Sequence, residues 1–194
     1  VNPTAALFGA IDYDGNVWIY REKYWPKGHK TDADTQAAEI LRLSAGETYE
    51  YSVADPAIFS PTGMVDKAGG QTIAETFARH GIIWLPASNR RVDGWSLVNK
   101  YLRWDETTSP KLRYFSTCKD SIRTIPSLVH DELKPEDIDS DSEDHAADTV
   151  RYLLMSLHEG KATAPKNETE RMLEENKLRD MMNVGNLNDF YANS

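Results

Sequence analysis

Residues 49–57 read Tyr-Glu-Tyr-Ser-Val-Ala-Asp-Pro-Ala. An alternating run stops at Asp55, and Pro56 follows at once. Alternation argues for a half-buried strand, and a proline cannot donate to a strand ladder. The stretch therefore predicts a strand from about Tyr49 to Ala54 with a carboxylate at its carboxyl end. Taken alone, Asp55 reads as a helix cap or an Asx-turn before Pro56. It gains chemical meaning if other acids reach the same place.

On the amino-terminal side, residues 4–11 read as a buried strand, and Asp12 to Asn16 as a hairpin turn whose Asp14-Gly15 pair supplies positive φ. Val17 to Tyr24 is the returning strand. Thr31 or Asp32 caps a helix that runs to about Ser44. On the carboxyl-terminal side, residues 58–70 form a loop. Thr72 to His80 is a helix closed by Gly81, and Ile82 to Pro86 a short buried strand. Arg91 to Trp104 is an amphipathic helix with Trp95, Val98 and Leu102 on one side; Gly94 costs it about 1 kcal/mol against alanine. Lys111 to Phe115 is a further strand, and Ser121 to Leu128 a short helix interrupted by Pro126. Asp144 to His158 places Ala146, Ala147, Val150, Leu153, Leu154 and Leu157 at helical spacing.

This order, a hairpin followed by alternating helices and strands, predicts an α/β fold: a mixed β-sheet flanked by helices. Ligands of such sheets gather at the carboxyl ends of parallel strands, where Asp55 sits. From Gly160 the composition turns polar and charged. Residues 1–159 are therefore read as the domain, and 160–194 as a linker and a charged, partly helical or disordered tail.

With 40% hydrophobic residues, five Trp and nine Tyr, the chain can bury a core and is not of the disordered class. No apolar run approaches the roughly 20 residues of a membrane helix, and no basic-then-apolar leader is present. The single cysteine, Cys118, excludes an internal disulfide and a cysteine-cluster metal site. It reads as a small residue at the end of a strand, in a reducing, cytoplasmic setting. A net charge of −9 argues against indiscriminate nucleic-acid binding. The charge is unevenly spread, however: residues 131–148 are strongly acidic and residues 79–113 comparatively basic.

The second piece of a possible site is Asp144-His145-Ala146-Ala147-Asp148. Residues three and four apart share a helix face, so Asp144, His145 and Asp148 line one edge. Asp144 also reads as a helix N-cap. Asp148, one turn in and beside small residues, reads either as solvated or as an acid aimed at the sheet. Clustered carboxylates suit hard divalent cations, and two such ions about 4 Å apart can hydrolyse a phosphodiester. His145 reads as a proton carrier, as a donor to a metal ligand, or as a surface histidine. The stretch Asp137 to Glu143 reads as a solvated acidic loop.

Four stretches together resemble the C-terminal nuclease domain of phage large terminase subunits. They are Asn2 to Trp18, Val53-Ala-Asp-Pro-Ala57, Pro86-Ala-Ser-Asn-Arg-Arg-Val-Asp-Gly-Trp95 and Asp144-His-Ala-Ala-Asp-Thr-Val-Arg-Tyr152. The resemblance covers about residues 2–158. It implies an RNase H-like fold and metal-dependent endonucleolysis of double-stranded, concatemeric viral DNA with Mg²⁺ or Mn²⁺ in a two-metal site. Asp55 and Asp148 match the family's second-strand and late-helix carboxylates, His145 lies where some members place an auxiliary metal-site residue, and Asp144 stands beside them as a metal ligand. Arg90, Arg91 and Lys100 flank a helix that in the family can face DNA, and they read equally as a solvated helix face.

The family's first acid ends a strand upstream of the Asn-Pro-Thr-Ala segment, and no acid here precedes Asp12. Asp12 and Asp14, in the hairpin turn, are poor substitutes. The expectation is a fragment lacking that first strand. No Gly-x-x-x-x-Gly-Lys-Ser/Thr phosphate loop occurs, so the packaging ATPase belongs to an N-terminal domain of the parent chain. The resemblance further implies a portal protein and a small terminase subunit as partners, in the host cytoplasm. The competing reading is a non-catalytic RNase H-like module that binds portal or DNA. A transposase or resolvase relative would share the sheet but not the Arg-Tyr helix pattern, and an ordinary α/β binding domain would leave Asp55 and Asp148 unrelated.

Overall fold

Hairpin chemistry sets the first layer. The computed structural model describes residues 3–29, 31–61, 71–129, 131, 132, 134, 136–139 and 143–159. Strands β1 (Thr4–Ile11) and β2 (Val17–Trp25) pair antiparallel. Asp12 organises the turn: its carboxylate accepts from the backbone of Asp14 and Asn16, from Asn16 Nδ2 at 2.8 Å and from Trp18 Nε1 at 3.0 Å. The indole and amide bonds hold its carboxyl down at about 2. Gly15 supplies the positive φ, 76°, that the turn requires.

The strand register shifts between Phe8 and Gly9, a bulge that turns Gly9 to the last helix. A Cβ on Gly9 would stand 2.9 Å from Leu153 Cδ2. The remaining elements are α1 (Ala33–Leu43), β3 (Val53–Ala54), α2 (Ile73–Arg79), β4 (Leu85–Pro86), α3 (Arg91–Leu102), β5 (Leu112–Tyr114), α4 (Lys119–Thr124) and α5 (His145–Glu159). Asp32 caps α1 through Thr35 N, and Thr72 with Glu75 forms a capping box on α2.

The sheet is mixed and comes in two hydrogen-bonded pieces. One has the order β1-β2-β5, with β5 parallel to β2; the other is β3 parallel to β4. Helices cover both faces. Val17, Ile19 and Leu112 pack with Trp95, Val98, Val150 and Leu154 on the side of α3 and α5. Phe8, Trp25, Ala37, Ile40, Phe77 and Ile82 form the core on the side of α1 and α2. The expected mixed sheet flanked by helices is the observed architecture. Helix α5 touches both β1 and β3, so the break in the sheet falls beneath it.

Several boundaries differ from the sequence reading. The strand expected over 49–54 shrinks to Val53–Ala54 because only these residues meet a parallel neighbour, Leu85 and Pro86. Tyr49 instead turns its hydroxyl to Glu47 and Tyr20. Helix α3 stops at Leu102, since Arg103 adopts ψ 135°. Cys118 lies before α4, buried, with Sγ donating to Ile19 O at 3.4 Å. No described helix is long and apolar enough to cross a membrane. All described residues belong to one compact unit, Val1–Ala162. The linker and tail expected over 160–194 lie outside the described residues, as does most of the 58–70 loop.

Candidate functional site

Asp55 ends β3 where the sequence suggested. Its Oδ1 accepts from Ala57 N at 2.7 Å, closing an Asx-type turn into the 3-10 turn Pro56–Phe59. Its Oδ2 does something the sequence did not show: it accepts from the Tyr152 hydroxyl at 2.7 Å. Tyr152 is on α5 one turn beyond Asp148, and positions four apart share a helix face. The strand-end acid and the late-helix acid are thereby tied to the same side of α5. Burial, and then the bond to Asp55, push the Tyr152 hydroxyl up, so it stays a donor.

Asp148 is held from two sides. Arg151 Nε donates to Oδ1 at 2.9 Å, and Arg91 Nη1 lies 3.5 Å from Oδ2. Arg151 is fully buried. Its guanidinium lies 5.4 Å from the Trp95 ring centroid and 4.5 Å from that of Tyr152, while Nη1 and Nη2 have no hydrogen-bond partner among the described residues. The helix crossing is shaped for this side chain: a Cβ on Gly94 would stand 2.5 Å from Arg151 Cγ and 2.7 Å from Cδ. Gly94, a cost to α3 by propensity, is what lets α3 pass over the arginine. Consecutive residues thus fix the two acids, Arg151 holding Asp148 and Tyr152 holding Asp55.

Arg91 gathers the other carboxylates. Nε donates to Asp137 Oδ1 at 3.0 Å, and Nη2 lies 3.7 Å from Asp144 Oδ2. Asp137 accepts also from Trp95 Nε1 at 3.0 Å and from Ile138 N at 2.8 Å. The reading of residues 137–143 as a solvated acidic loop is corrected at Asp137, while Glu143 stays exposed. Asp137 is anchored by α3, and Glu143 accepts from Arg123 and from Tyr24. Arg91 and Trp95, four apart on one face, are the signal that Asp137 had a partner, but nothing in the spacing says which acid of the stretch it is.

The other site residues fall into place around this cluster. His145 Nδ1 stands 3.5 Å from Asp144 Oδ1. Burial, reinforced by the nearby Asp148 charge, pushes the Asp144 carboxyl up. At Asp137 burial pushes the same way, but hydrogen bonds from Ile138 N and Arg91 prevail and hold its carboxyl down. Arg91, read as facing DNA or as part of a solvated helix face, points among three carboxylates because α3 presents it to the approach and first turn of α5. Arg90 lies 3.3 Å from Asp93. Lys100 is exposed at the other end of α3.

The donor set was weighed against Mg²⁺ or Mn²⁺. Among the described residues no group of three or more Asp, Glu, His or Cys side chains is placed to hold a metal ion. Asp137, Asp144 and Asp148 are spread around a guanidinium, and Asp55 gives one oxygen to Tyr152 and the other to Ala57 N. As they stand, these residues do not make a two-metal cage.

The geometry defines a class first: a mixed-sheet α/β domain with acids collected where a strand end meets the last helix. Solved structures then show which proteins share the fold. The chain is similar to the large terminase of a thermophilic bacteriophage in complex with ADP, at 19% identity and a TM-score of 0.63, over 82% of this chain and 37% of that one. A second crystal form of that terminase gives 18% identity and 0.62, over 81% and 36%. Its complex with ATP-γ-S gives 19% and 0.60, over 79% and 36%. The chain spans little more than a third of the length of these structures, and the likeness is one of fold. No family model and no curated protein sequence matches the chain.

Proposed function

We propose that this chain is the nuclease-type domain of a phage DNA-packaging large terminase, and that double-stranded DNA is what it engages. The observation that carries the reading is the Tyr152–Asp55 hydrogen bond, which brings the strand-end acid to the helix face bearing Asp148. The shared fold with a phage large terminase supports the packaging context. The parent would join the domain to a packaging ATPase and work with a portal protein and a small terminase subunit in the host cytoplasm.

Endonucleolytic cleavage with Mg²⁺ or Mn²⁺ belongs to this reading as the chemistry the parent performs. It requires a further carboxylate at Asp55 and Asp148 that the described residues do not place there. The second reading, a module that binds DNA or portal without cutting, is favoured by the arginines that occupy Asp148, Asp144 and Asp137.

Incubation of supercoiled plasmid with Mn²⁺ tests both, using the wild type, Asp55→Ala and Asp148→Ala. Nicking lost in both variants supports cleavage at this site. Duplex binding without nicking selects the second reading. Nicking undiminished by either substitution removes the site, and a wild type that neither nicks nor binds DNA at low salt sinks the proposal.

A further inference from the structure

The cations of α3 divide by what they touch. Arg90 and Arg91, at its start, both have carboxylate partners. Lys100 and Arg103, at its end, have none among the described residues. They belong to a stripe. Ser96, Asn99 and Lys100 share one side of α3, the C-cap residue Arg103 follows three positions after Lys100, and all four are exposed. With Leu102 they line an open groove of about 470 Å³. Neither the Ser96 hydroxyl nor the Asn99 amide makes a side-chain hydrogen bond within the described residues.

All four side chains offer hydrogen-bond donors, and none is acidic. Asp93, one turn before the stripe, is turned to Arg90, and Asp105, just beyond it, accepts from Thr107 and Thr108. In a chain of net charge −9, a run of unneutralised donors calls for an anionic partner rather than another part of the fold.

The geometry points to a phosphate-backbone site for duplex DNA along this stripe, a proposal that rests on the reading of the chain as a DNA-packaging domain. Arg, Lys, Ser and Asn are side chains that contact phosphate oxygens without reading sequence. The stripe is roughly 10 Å long at 1.5 Å per residue, about three phosphate steps at 3.4 Å per strand. It carries no aromatic ring on which unpaired bases could stack. Arg91, at the acid cluster, is roughly 18 Å along the chain direction of α3 from Arg103. Of the three residues expected to face DNA, Lys100 belongs to this stripe, while Arg90 and Arg91 pair with carboxylates at the start of α3.

The test is binding to a 30-bp duplex over a salt series, with thermal melts confirming that each variant folds. Lys100→Ala with Arg103→Ala should make the slope of log K against log[salt] shallower by about 2. The double charge reversal to Glu should weaken binding at least about tenfold at low salt. Ser96→Ala with Asn99→Ala should weaken it a few-fold and leave the slope unchanged. If the wild type binds the duplex and the Lys100/Arg103 variants match it in affinity and slope, the stripe is overturned while the packaging reading stands. If the wild type binds no duplex, both fall. A single-stranded 30-mer bound more tightly than the duplex, and lost in the same variants, overturns the duplex assignment. Poly-glutamate competing as well as DNA at equal charge overturns it in favour of an acidic protein partner.

Discussion

The two ends of α3 carry the same kind of residue in opposite circumstances. At the start, Arg91 points among Asp137, Asp144 and Asp148, beside the fully buried Arg151. At the end, Lys100 and Arg103 stand in solvent and form no ion pair with an acid among the described residues. A count of basic residues over 79–113 treats them alike. What separates them is packing: the first turn of α3 crosses α5 at Gly94, and the last turn lies along an open groove. Charge engaged inside the fold fixes the acids in place and leaves them uncompensated when it is removed; charge left outside is free for a partner.

The interior end should yield the largest effect. Arg151→Ala leaves Asp148 without its 2.9 Å bond and opens space between Trp95 and Tyr152, so stability should fall by about 3–5 kcal/mol in chemical denaturation. Arg151→Met, which keeps the apolar stem, should lose less than the alanine variant. A loss under about 1 kcal/mol for alanine would dissolve the contrast between the two ends. Gly94→Ala sharpens it next. Helix propensity favours alanine by about 1 kcal/mol, yet the new methyl would meet Arg151 at 2.5 Å. Overpacking should win, with a net loss of about 1–3 kcal/mol.

How far this contrast could be read from the sequence follows from the range of each interaction. The hairpin, the cap on α1, the glycine that closes α2 and the helical stripe of α5 were legible because their causes lie within a few residues. The short β3 was not, because a strand's length depends on its neighbours, and Tyr49 is drawn away by Tyr20, 29 positions earlier. Asp55 and Asp148 could be singled out as acids, one by its strand end and one by its helix. The Tyr152 bond that relates them spans 97 positions and leaves no local trace. Asp137 was misread for the same reason: in a run of acids, composition says solvated, and only the face of α3 says otherwise. Gly94 was visible as a propensity cost, and the crossing that explains it was not.

Arg91→Met probes the boundary between the two circumstances, since Arg91 is partly exposed and points among three acids. The expected loss near neutral pH is about 2 kcal/mol, measured by denaturation across a pH series. Its pH dependence has a definite sign. Asp137 titrates below its ordinary 3.8 in the fold, so its ionised form adds stability above that value, which is lost as pH falls. Asp144 titrates above 3.8, so the fold binds its proton more tightly and stability declines as pH rises through that interval. Removing the guanidinium weakens the first effect and enlarges the second. The gap between Arg91→Met and wild type should therefore be smallest at acid pH and widen as pH rises through the carboxylate range. A gap that stays constant with pH would mean that Arg91 acts by packing rather than by charge.

At the exterior end the expected change in stability is the smallest. Lys100→Ala with Arg103→Ala removes two exposed side chains that hold no acid, so the unfolding free energy should stay within about 0.5 kcal/mol of wild type. Relief of repulsion between the two cations, three positions apart in the stripe, pulls the value slightly upward. The higher helix propensity of alanine does the same at position 100. Added to Arg151→Ala, the pair should contribute independently, because the groups share no partner. A loss above about 1 kcal/mol, or strong coupling to Arg151, would show that the outer end is also built into the fold. The division of α3 into a structural end and a free end would then have to be abandoned.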